Sequence, residues 1–230
     1  MEAHATAGAA APAAPGAVPD TAGATHIRFA RGTTSGILND SLAAGGAKRY
    51  LIEASQGQVM LAHAIAWPTP GTRAAPPEAA VRVFEVAGDR ELAAKGGPGP
   101  LWFGRLPGSG EYLVSVAVIA PTAYTLAVQI PRDVILQGDQ PATFSGVAPS
   151  RAPIDYLVRG EVGRTLEVSL GGTSSATHLH IYGLDDGVQL APLAERLRLY
   201  GGRLETTEDY IVSVVPAEPN ARYHVMITLK

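Results

Sequence analysis

The sequence predicts an all-β protein in which a flexible Ala/Pro-rich arm precedes two tandem antiparallel β-sandwich domains. Three observations predict this fold: many turn residues, apolar residues that alternate with a period of two, and an internal repeat. The 230 residues include 26 Gly and 18 Pro, which favours many short strands over long helices. A repeat unit of about 100 residues has the size of a sandwich of seven or eight strands.

The alternating pattern identifies individual strands. Apolar and small residues alternate along Tyr112–Ile119, as they do in a strand with one buried face. The segments Tyr50–Ala54 and Gln58–Ala62 predict a β-hairpin, with Gly57 taking the positive φ of its turn. A short helix is predicted only at Pro192–Tyr200, where the apolar residues have helical spacing.

The internal repeat divides the chain into two halves. Arg49–Leu51 returns as Asp155–Leu157 after 106 residues, and Glu111–Val116 returns as Asp209–Val214 after 98 residues. The change in offset predicts an insertion of about eight residues in the Pro-rich segment Ala66–Ala80, which is typical of a surface loop.

These patterns give three segments: an arm at 1–25, a first sandwich at 26–131 and a second at 132–230. Ala, Pro and Gly fill 17 of the first 25 positions, so the arm lacks the apolar surface that would offset its ordering entropy. It could still order against a partner. The arm shows neither the basic region nor the apolar core of a secretory signal. The chain is therefore either cytoplasmic or has lost its signal. We expect the chain to be periplasmic or extracellular. It could also be tethered to a membrane through a segment that is not part of this sequence.

Composition excludes several classes of protein. Hydrophobic residues make up 46% and charged residues 17% of the chain, which excludes a disordered protein. The net charge of −3 offers no basic field for nucleic acid. No apolar run reaches the roughly 18–20 residues needed to span a bilayer, so any membrane association would be peripheral. With no Cys, disulfides, thiolate metal sites and thiol nucleophiles are excluded.

Each half resembles the bacterial pre-peptidase C-terminal (PPC) domain. The residues that carry this resemblance are Ile27–Phe29, Gly32, Arg49–Leu51, Gly57–Gln58, Leu106–Tyr112 and Ala123–Leu126. Periplasmic inhibitors of g-type and i-type lysozyme share this type of fold. In the i-type inhibitors, a Ser-Gly-X-Tyr loop enters the lysozyme cleft.

The first half has this loop sequence as Ser109, Gly110, Glu111 and Tyr112, whereas the second half reads Thr207–Tyr210 and lacks Ser-Gly. The resemblance therefore implies that any inhibitor role belongs to the first half. A structural interpretation competes with it, because Gly favours a turn and a buried Tyr can spend its hydroxyl on a backbone group. We favour the structural interpretation for Tyr112.

Catalytic and metal-binding patterns are weak. His178 and His180 share one strand face, and His224 is predicted to point outward from its own strand. If all three imidazoles met, they could bind zinc or copper. We favour the interpretation that they are solvated surface histidines. Asp185-Asp186-Gly187 predicts a hairpin turn rather than a calcium loop. No nucleophile elbow or phosphate loop occurs. We predict neither enzymatic activity nor a cofactor.

Trp67 and Phe103 have no equivalent in the second half and are predicted to anchor a partner or a sugar ring, unless they pack on their own sandwich. The predicted contact residues are thus Trp67, Phe103, Ser109, Gly110, Glu111 and Tyr112. The favoured hypothesis is a non-enzymatic extracytoplasmic binding module that docks as an accessory subunit on an envelope complex. Lysozyme inhibition through the Ser109–Tyr112 loop and polysaccharide binding are the alternatives.

Overall fold

A computed structural model describes residues 18–230 except 32, 68–78, 96 and 149. Most of the predicted arm and most of the predicted insertion therefore lie outside the described residues. The first half contains β1 (Thr25–His26), β2 (Ser35–Leu42), β3 (Ala47–Ala54), β4 (Val59–Trp67), β5 (Ala79–Glu85), β6 (Arg90–Leu92), β7 (Leu101–Arg105), β8 (Gly110–Val118) and β9 (Thr122–Gln129). The second contains β10 (Arg132–Val134), β11 (Ala142–Ala148), β12 (Ile154–Arg159), β13 (Thr165–Gly172), β14 (His178–Gly183), β15 (Gln189–Ala191), β16 (Leu199–Arg203), β17 (Asp209–Val215) and β18 (Ala221–Leu229).

The strands form four sheets. Sheet I has the order β1-β3-β8-β5-β6 and sheet II the order β2-β9-β4-β7; together they form the first sandwich. Sheet III has the order β10-β12-β17-β14-β15 and sheet IV the order β11-β18-β13-β16; they form the second. The two sandwiches have the same strand order, and apart from the parallel pairs β1–β3 and β10–β12 the pairing is antiparallel. The predicted all-β sandwich fold is confirmed.

Each sandwich has its own apolar core, which is formed by the inward-facing side chains of its strands. In both cores a pair of tyrosines spans the two sheets. The hydroxyls of Tyr50 and Tyr124 lie 2.5 Å apart in the first, and those of Tyr156 and Tyr223 lie 2.9 Å apart in the second. The rings fill the core while each hydroxyl finds a partner.

Two local predictions were wrong. The segments Tyr50–Ala54 and Gln58–Ala62 are not a hairpin, because β3 belongs to sheet I and β4 to sheet II. Gly57, at φ +80°, instead turns the chain from one sheet to the other. The predicted helix at Pro192–Tyr200 is reduced to a 3₁₀ turn, Leu193–Glu195, because β16 begins at Leu199 and takes the rest of the segment into sheet IV.

The sandwiches pack against each other through the outer faces of sheets II and III. Phe103 and Tyr182 meet at the centre of this inter-sandwich contact, with ring centroids 4.7 Å apart. Apolar residues surround them: Val59 and Leu61 from sheet II, and Leu157, Leu184 and Ile211 from the second sandwich. At the rim, Arg105 forms an ion pair with Asp209. The contact therefore includes an apolar cluster and has a charged edge.

Residues 18–24, hereafter the strap, cross the outer face of sheet I. Val18 and Ala24 pack against Leu51, Phe84 and Leu113. Hydrogen bonds hold the first residues of the strap, from Val18 N to Asp89 Oδ1 at 3.1 Å and from Arg49 Nη1 to Asp20 O at 3.0 Å. The described residues contain no helix with the length and apolar character that crossing a bilayer requires.

Candidate functional site

Tyr112 is a structural residue of the predicted loop. Its side chain is 1% exposed, and its hydroxyl donates to Gly108 O at 2.6 Å. In the second sandwich the Tyr210 hydroxyl donates to Thr206 O at 3.0 Å, which is the same four-residue step back along the chain. Both tyrosines therefore close the turn before their strand, and neither presents its ring to a partner.

The rest of the loop is exposed and well fixed. Ser109 Oγ accepts a hydrogen bond from Gln56 N at 2.9 Å, which ties the loop to the neighbouring turn. Gly110 has φ +146°, a conformation that residues with a Cβ rarely adopt. Glu111 follows as an exposed residue of β8. The turn thus presents Ser109, Gly110 and Glu111 on a rigid base.

A groove of about 650 Å³ lies beside this turn. Its lining includes the apolar residues Phe29, Ala54 and Ile130 together with Glu53, Gly110 and Glu111. A second concavity of about 510 Å³ is lined by His26–Phe29 and shares the same two carboxylates. The groove combines apolar and polar groups, as binding clefts do.

The two carboxylates of the groove have no ion-pair partner in the part of the chain that the structure describes. Glu53 and Glu111 are direct partners in the β3–β8 register, so both side chains lie on one face of sheet I. Neither carboxylate forms an ion pair or hydrogen bond with a described residue. Like charges directly opposite each other in a sheet are destabilising. A cationic group placed between Glu53 and Glu111 would relieve this repulsion, and Arg28 lines the second concavity with them.

The two predicted aromatic anchors differ in what the structure shows. Phe103 is 3% exposed and lies in the inter-sandwich contact, so in this conformation it has no surface to offer an external partner. Its ring packs on other residues of its own chain, which was the alternative to its role as an anchor. Trp67 is the last residue of β4, and its side chain lies outside what the structure describes. Its role as an anchor stays a prediction.

The sequence analysis missed a buried polar cluster in the inter-sandwich contact. Asp155 of sheet III lies between two partners: His63 Nε2 of the first sandwich is 3.1 Å from Asp155 Oδ2, and Ser213 Oγ donates to Asp155 Oδ1 at 2.5 Å. All three residues are at most 7% exposed. A buried carboxylate is stable only when paired and hydrogen-bonded, and both conditions are met here.

This cluster contains Ser, His and Asp but does not have the geometry of a hydrolase. The hydroxyl of Ser213 donates to the carboxylate of Asp155 rather than to the imidazole of His63, so no base activates the oxygen. The serine is also fully buried, which leaves no access for a substrate. The arrangement joins the two sandwiches.

Two further polar side chains border the cluster. Burial, with a smaller contribution from the neighbouring His63, lowers the pKa of His180 to about 4. Burial also raises the pKa of the Tyr182 hydroxyl. The Nε2 of His180 and the hydroxyl of Tyr182 have no hydrogen-bond partner of standard geometry among the described residues. Both groups are therefore held neutral inside the contact.

The three predicted surface histidines do not form one group. His178 and His180 lie on β14 of sheet III and share a face, as predicted, but that face turns to the first sandwich and His178 is only 7% exposed. His224 lies on β18 of sheet IV, where Nδ1 is 2.9 Å from Ser145 Oγ. Within the described ranges, no three His, Asp or Glu side chains are arranged to hold a metal ion.

The sequence carried a weak signal for the missed cluster. Where the first half has Arg49, the second has Asp155, a reversal of charge at an otherwise conserved step of the repeat. His63 similarly interrupts an apolar strand, and its repeat equivalent is Ser169. Departures from an internal repeat mark positions with different surroundings, but the partner of each is set by how the sandwiches stack.

The comparisons with known proteins are distant. No protein-family model matches the chain, and no curated protein matches it. PliG of Aeromonas hydrophila, a periplasmic inhibitor of g-type lysozyme, is 24% identical over 46% of this chain and 94% of its own, with a TM-score of 0.37. PliG of Salmonella Typhimurium is 17% identical over 46% of this chain and 95% of its own, with a TM-score of 0.32. The PBSX exported protein XepA is 12% identical over 85% of this chain and 86% of its own, with a TM-score of 0.29.

These identities lie below 25% and the TM-scores below 0.5. The likenesses therefore assign neither a family nor a function to this chain. The resemblance to PPC domains stays a prediction from the sequence motifs.

Proposed function

We propose that this chain is a non-enzymatic, extracytoplasmic binding module that docks as an accessory subunit on a larger envelope complex. The observation that carries the proposal is the exposed Ser109–Glu111 turn, held rigidly beside the groove. Loops fixed on a rigid sandwich are typical positions for binding residues. The two unpaired carboxylates, Glu53 and Glu111, favour a partner segment that carries Lys or Arg beside an apolar residue.

The chemistry of the described residues supports binding rather than catalysis. The Ser213–Asp155–His63 set is buried and lacks an activated nucleophile. What remains at the surface is recognition by shape and charge.

The test is native, untagged purification with mass measurement of the proteins that co-elute. A stoichiometric partner is expected with the wild-type chain and is expected to be lost with Glu111→Arg, which replaces one of the two groove carboxylates with a positive charge. Glu218→Arg, a change at an exposed loop residue of the second sandwich, is the matched control and should retain the partner. A free chain, or a partner that Glu111→Arg retains, rejects the proposal.

Lysozyme inhibition through the Ser109–Tyr112 loop is the second candidate. The exposed position of Ser109 and Glu111 favours it, because an inhibitory loop must project from its sandwich. Lysis of bacterial cells by g-type and i-type lysozymes is the assay. Inhibition should fall with Ser109→Arg and persist with Tyr112→Phe, since the Tyr112 hydroxyl is spent inside the turn. Failure of the wild-type chain to inhibit either enzyme removes this candidate.

The division into tandem domains at 26–131 and 132–230 belongs to the same proposal. Its support is the shared strand order and the separate core of each sandwich. Polysaccharide binding has no comparable support among the described residues, because Phe103 is buried and the side chain of Trp67 is not described.

A further inference from the structure

The parallel ladder at the edge of sheet I stops one pair earlier than its counterpart in sheet III. In sheet III, β10 pairs with β12 at three positions, the last of which joins Val134 to Val158. In sheet I, β1 pairs with β3 at two positions, the last of which joins His26 to Leu51. The final hydrogen bond of this shorter ladder runs from Ile27 N to Leu51 O at 2.7 Å. In the part of the chain that the structure describes, no strand covers this edge of β3 beyond Leu51.

The backbone of Glu53 faces this open edge. Successive residues of a strand direct their N–H and C=O groups to alternate sides, so Glu53 shares the side of Leu51, whose carbonyl accepts from β1. The neighbouring strand agrees, because Glu111 O accepts from Val86 N, just after β5, at 3.1 Å and so points away from Glu53. Within the described ranges, the N–H and C=O of Glu53 therefore have no hydrogen-bond partner.

The opening is confined to this position. The next N–H on the same edge, that of Ser55, donates to Gln58 Oε1 at 2.7 Å. Glu53 thus lies between a position paired to β1, Leu51, and one closed by a side chain. Its repeat equivalent, Arg159, follows directly on the last pair of the longer ladder, so the N–H of Arg159 faces β10. The gap is therefore a feature of the first sandwich that the second does not share.

Side chains of different character lie on the two sides of the gap. Glu53 and Glu111 lie on the outer face of sheet I, in phase with Leu51 and Leu113. Three apolar residues of the groove lining pack against the core of the first sandwich instead: Phe29, Ala54 and Ile130. Because side chains alternate along a strand, a segment laid along this edge places one residue beside the carboxylates and its two neighbours beside the apolar residues.

We propose that the open edge of β3 binds an extended peptide segment as an added strand at Glu53, and that this segment has the pattern apolar–basic–apolar. The inference rests on the proposed function and names how the partner is recognised. The basic residue lies beside Glu53 and Glu111, and its apolar neighbours contact Phe29, Ala54 and Ile130. Main-chain hydrogen bonds to Glu53 supply affinity while the alternate side chains supply specificity, as in other complexes formed by strand addition.

A defined peptide, acetyl-Thr-Val-Arg-Val-Thr-amide, tests the proposal when it is titrated into the full, isotope-labelled chain and followed by NMR. In the free protein, the Glu53 amide should exchange its hydrogen rapidly and the Arg159 amide slowly. Bound peptide should shift the Glu53 amide and slow its exchange, and it should leave the Arg159 amide unshifted. The same peptide with Glu in place of Arg should bind at least about tenfold more weakly, because it sets like charges against each other.

Two N-methylated forms of the peptide separate main-chain recognition from recognition by charge. Methylation of the Arg nitrogen removes the donor of an antiparallel pair with Glu53, and methylation of the following Val nitrogen removes the donor of a parallel pair. One of the two changes should weaken binding about tenfold, which corresponds to one lost hydrogen bond. Which of them does so gives the direction of the added strand.

Changes in the protein make the same separation. Glu53→Pro removes both the N–H and the carboxylate, whereas Glu53→Gln removes the charge alone. Because this N–H points away from β8, Pro at the open edge leaves the β3–β8 ladder intact, which the thermal unfolding midpoint checks. Glu53→Pro should bind the peptide about tenfold more weakly than Glu53→Gln. Glu218→Gln, the same change at an exposed loop residue of the second sandwich, should bind as the wild-type chain does.

Three outcomes would overturn strand addition: the peptide does not bind, both methylated forms bind as tightly as their parent, or the Glu53 amide of the free chain exchanges as slowly as that of Arg159. The methylated peptides decide the matter even if Glu53→Pro does not fold. Failure of the proposed function is seen separately, in the native purification and its Glu111→Arg variant. A partner that co-purifies with the wild-type chain and is lost with Glu111→Arg, while the peptide does not bind, removes strand addition alone.

Discussion

Asp155 accepts hydrogen bonds from both sandwiches at once, which makes it a critical residue for how they stay together. Replacing it with Ala leaves the imidazole of His63 and the hydroxyl of Ser213 buried without their acceptor. A buried polar group that loses its partner costs about 1–3 kcal/mol. We expect Asp155→Ala, which removes the acceptor of two such groups, to lower the free energy of unfolding by about 3 kcal/mol, measured by urea denaturation.

The matched control for this residue is Asp139→Ala. Asp139 pairs with Arg164 at 2.9 Å, but its side chain is 72% exposed, and exposed ion pairs contribute little to stability. The unfolding midpoint of this variant should therefore stay close to that of the wild-type chain. Equal effects of the two substitutions would show that the Asp155 carboxylate is hydrated and does not join the sandwiches.

Gly57 carries the prediction at the level of elements, because it turns the chain from sheet I to sheet II. At φ +80°, an added Cβ is strained whatever space surrounds it, at a cost of about 1–2 kcal/mol. Gly57→Ala should destabilise the protein by that amount in thermal unfolding. Gly201→Ala, in a strand with ordinary φ and with open space around the new Cβ, is the control. A neutral Gly57→Ala would contradict this account of the turn.

The strands were predictable from sequence because their signal is local. Period-two alternation identifies β8 within a residue or two, and the repeat aligns it with β17. The pairing of strands is not local. β3 and β4 are consecutive and joined by a tight turn, yet β3 pairs with β8 and β4 with β7 and β9. The hairpin prediction failed because Gly57 permits either path, and the choice depends on partners about 50 residues away.

The same distinction holds for the candidate site. The Ser109–Tyr112 loop was found because its residues are contiguous, and the tyrosine-corner role of Tyr112 follows from its place before a strand. His63 and Asp155, by contrast, are separated by 92 positions and meet only because two sandwiches stack. Phe103 was predicted to be an external anchor for the same reason: the sequence shows an aromatic without an equivalent in the second half, but not the surface that covers it.

Stacking of the sandwiches also determines how the whole molecule responds to acid. Burial in the inter-sandwich contact holds the pKa of His180 at about 4 and lowers that of His178 as well. In the unfolded chain both imidazoles titrate near 6.5. As the pH falls from about 6.5 to about 4, the unfolded state therefore binds protons at these two imidazoles, whereas the folded state does not. The free energy of unfolding should fall through this range, and the loss attributable to His180 should level off below about pH 4.

Urea denaturation of the wild-type chain and of His180→Gln, between about pH 7 and about pH 4, measures this dependence. Gln cannot take up the proton, so the loss of stability across the range should be smaller in His180→Gln. His224→Gln, on the exposed face of sheet IV, should leave the wild-type slope intact.

Because His180 lies beside His63 and Asp155, protonation of His180 places a positive charge next to the buried cluster. The sandwiches should therefore separate before either core unfolds, seen as loss of Phe103–Tyr182 contact at a pH where both cores keep their amide protection. A single unfolding transition with equal slopes in all three proteins would contradict this and place His180 in contact with solvent.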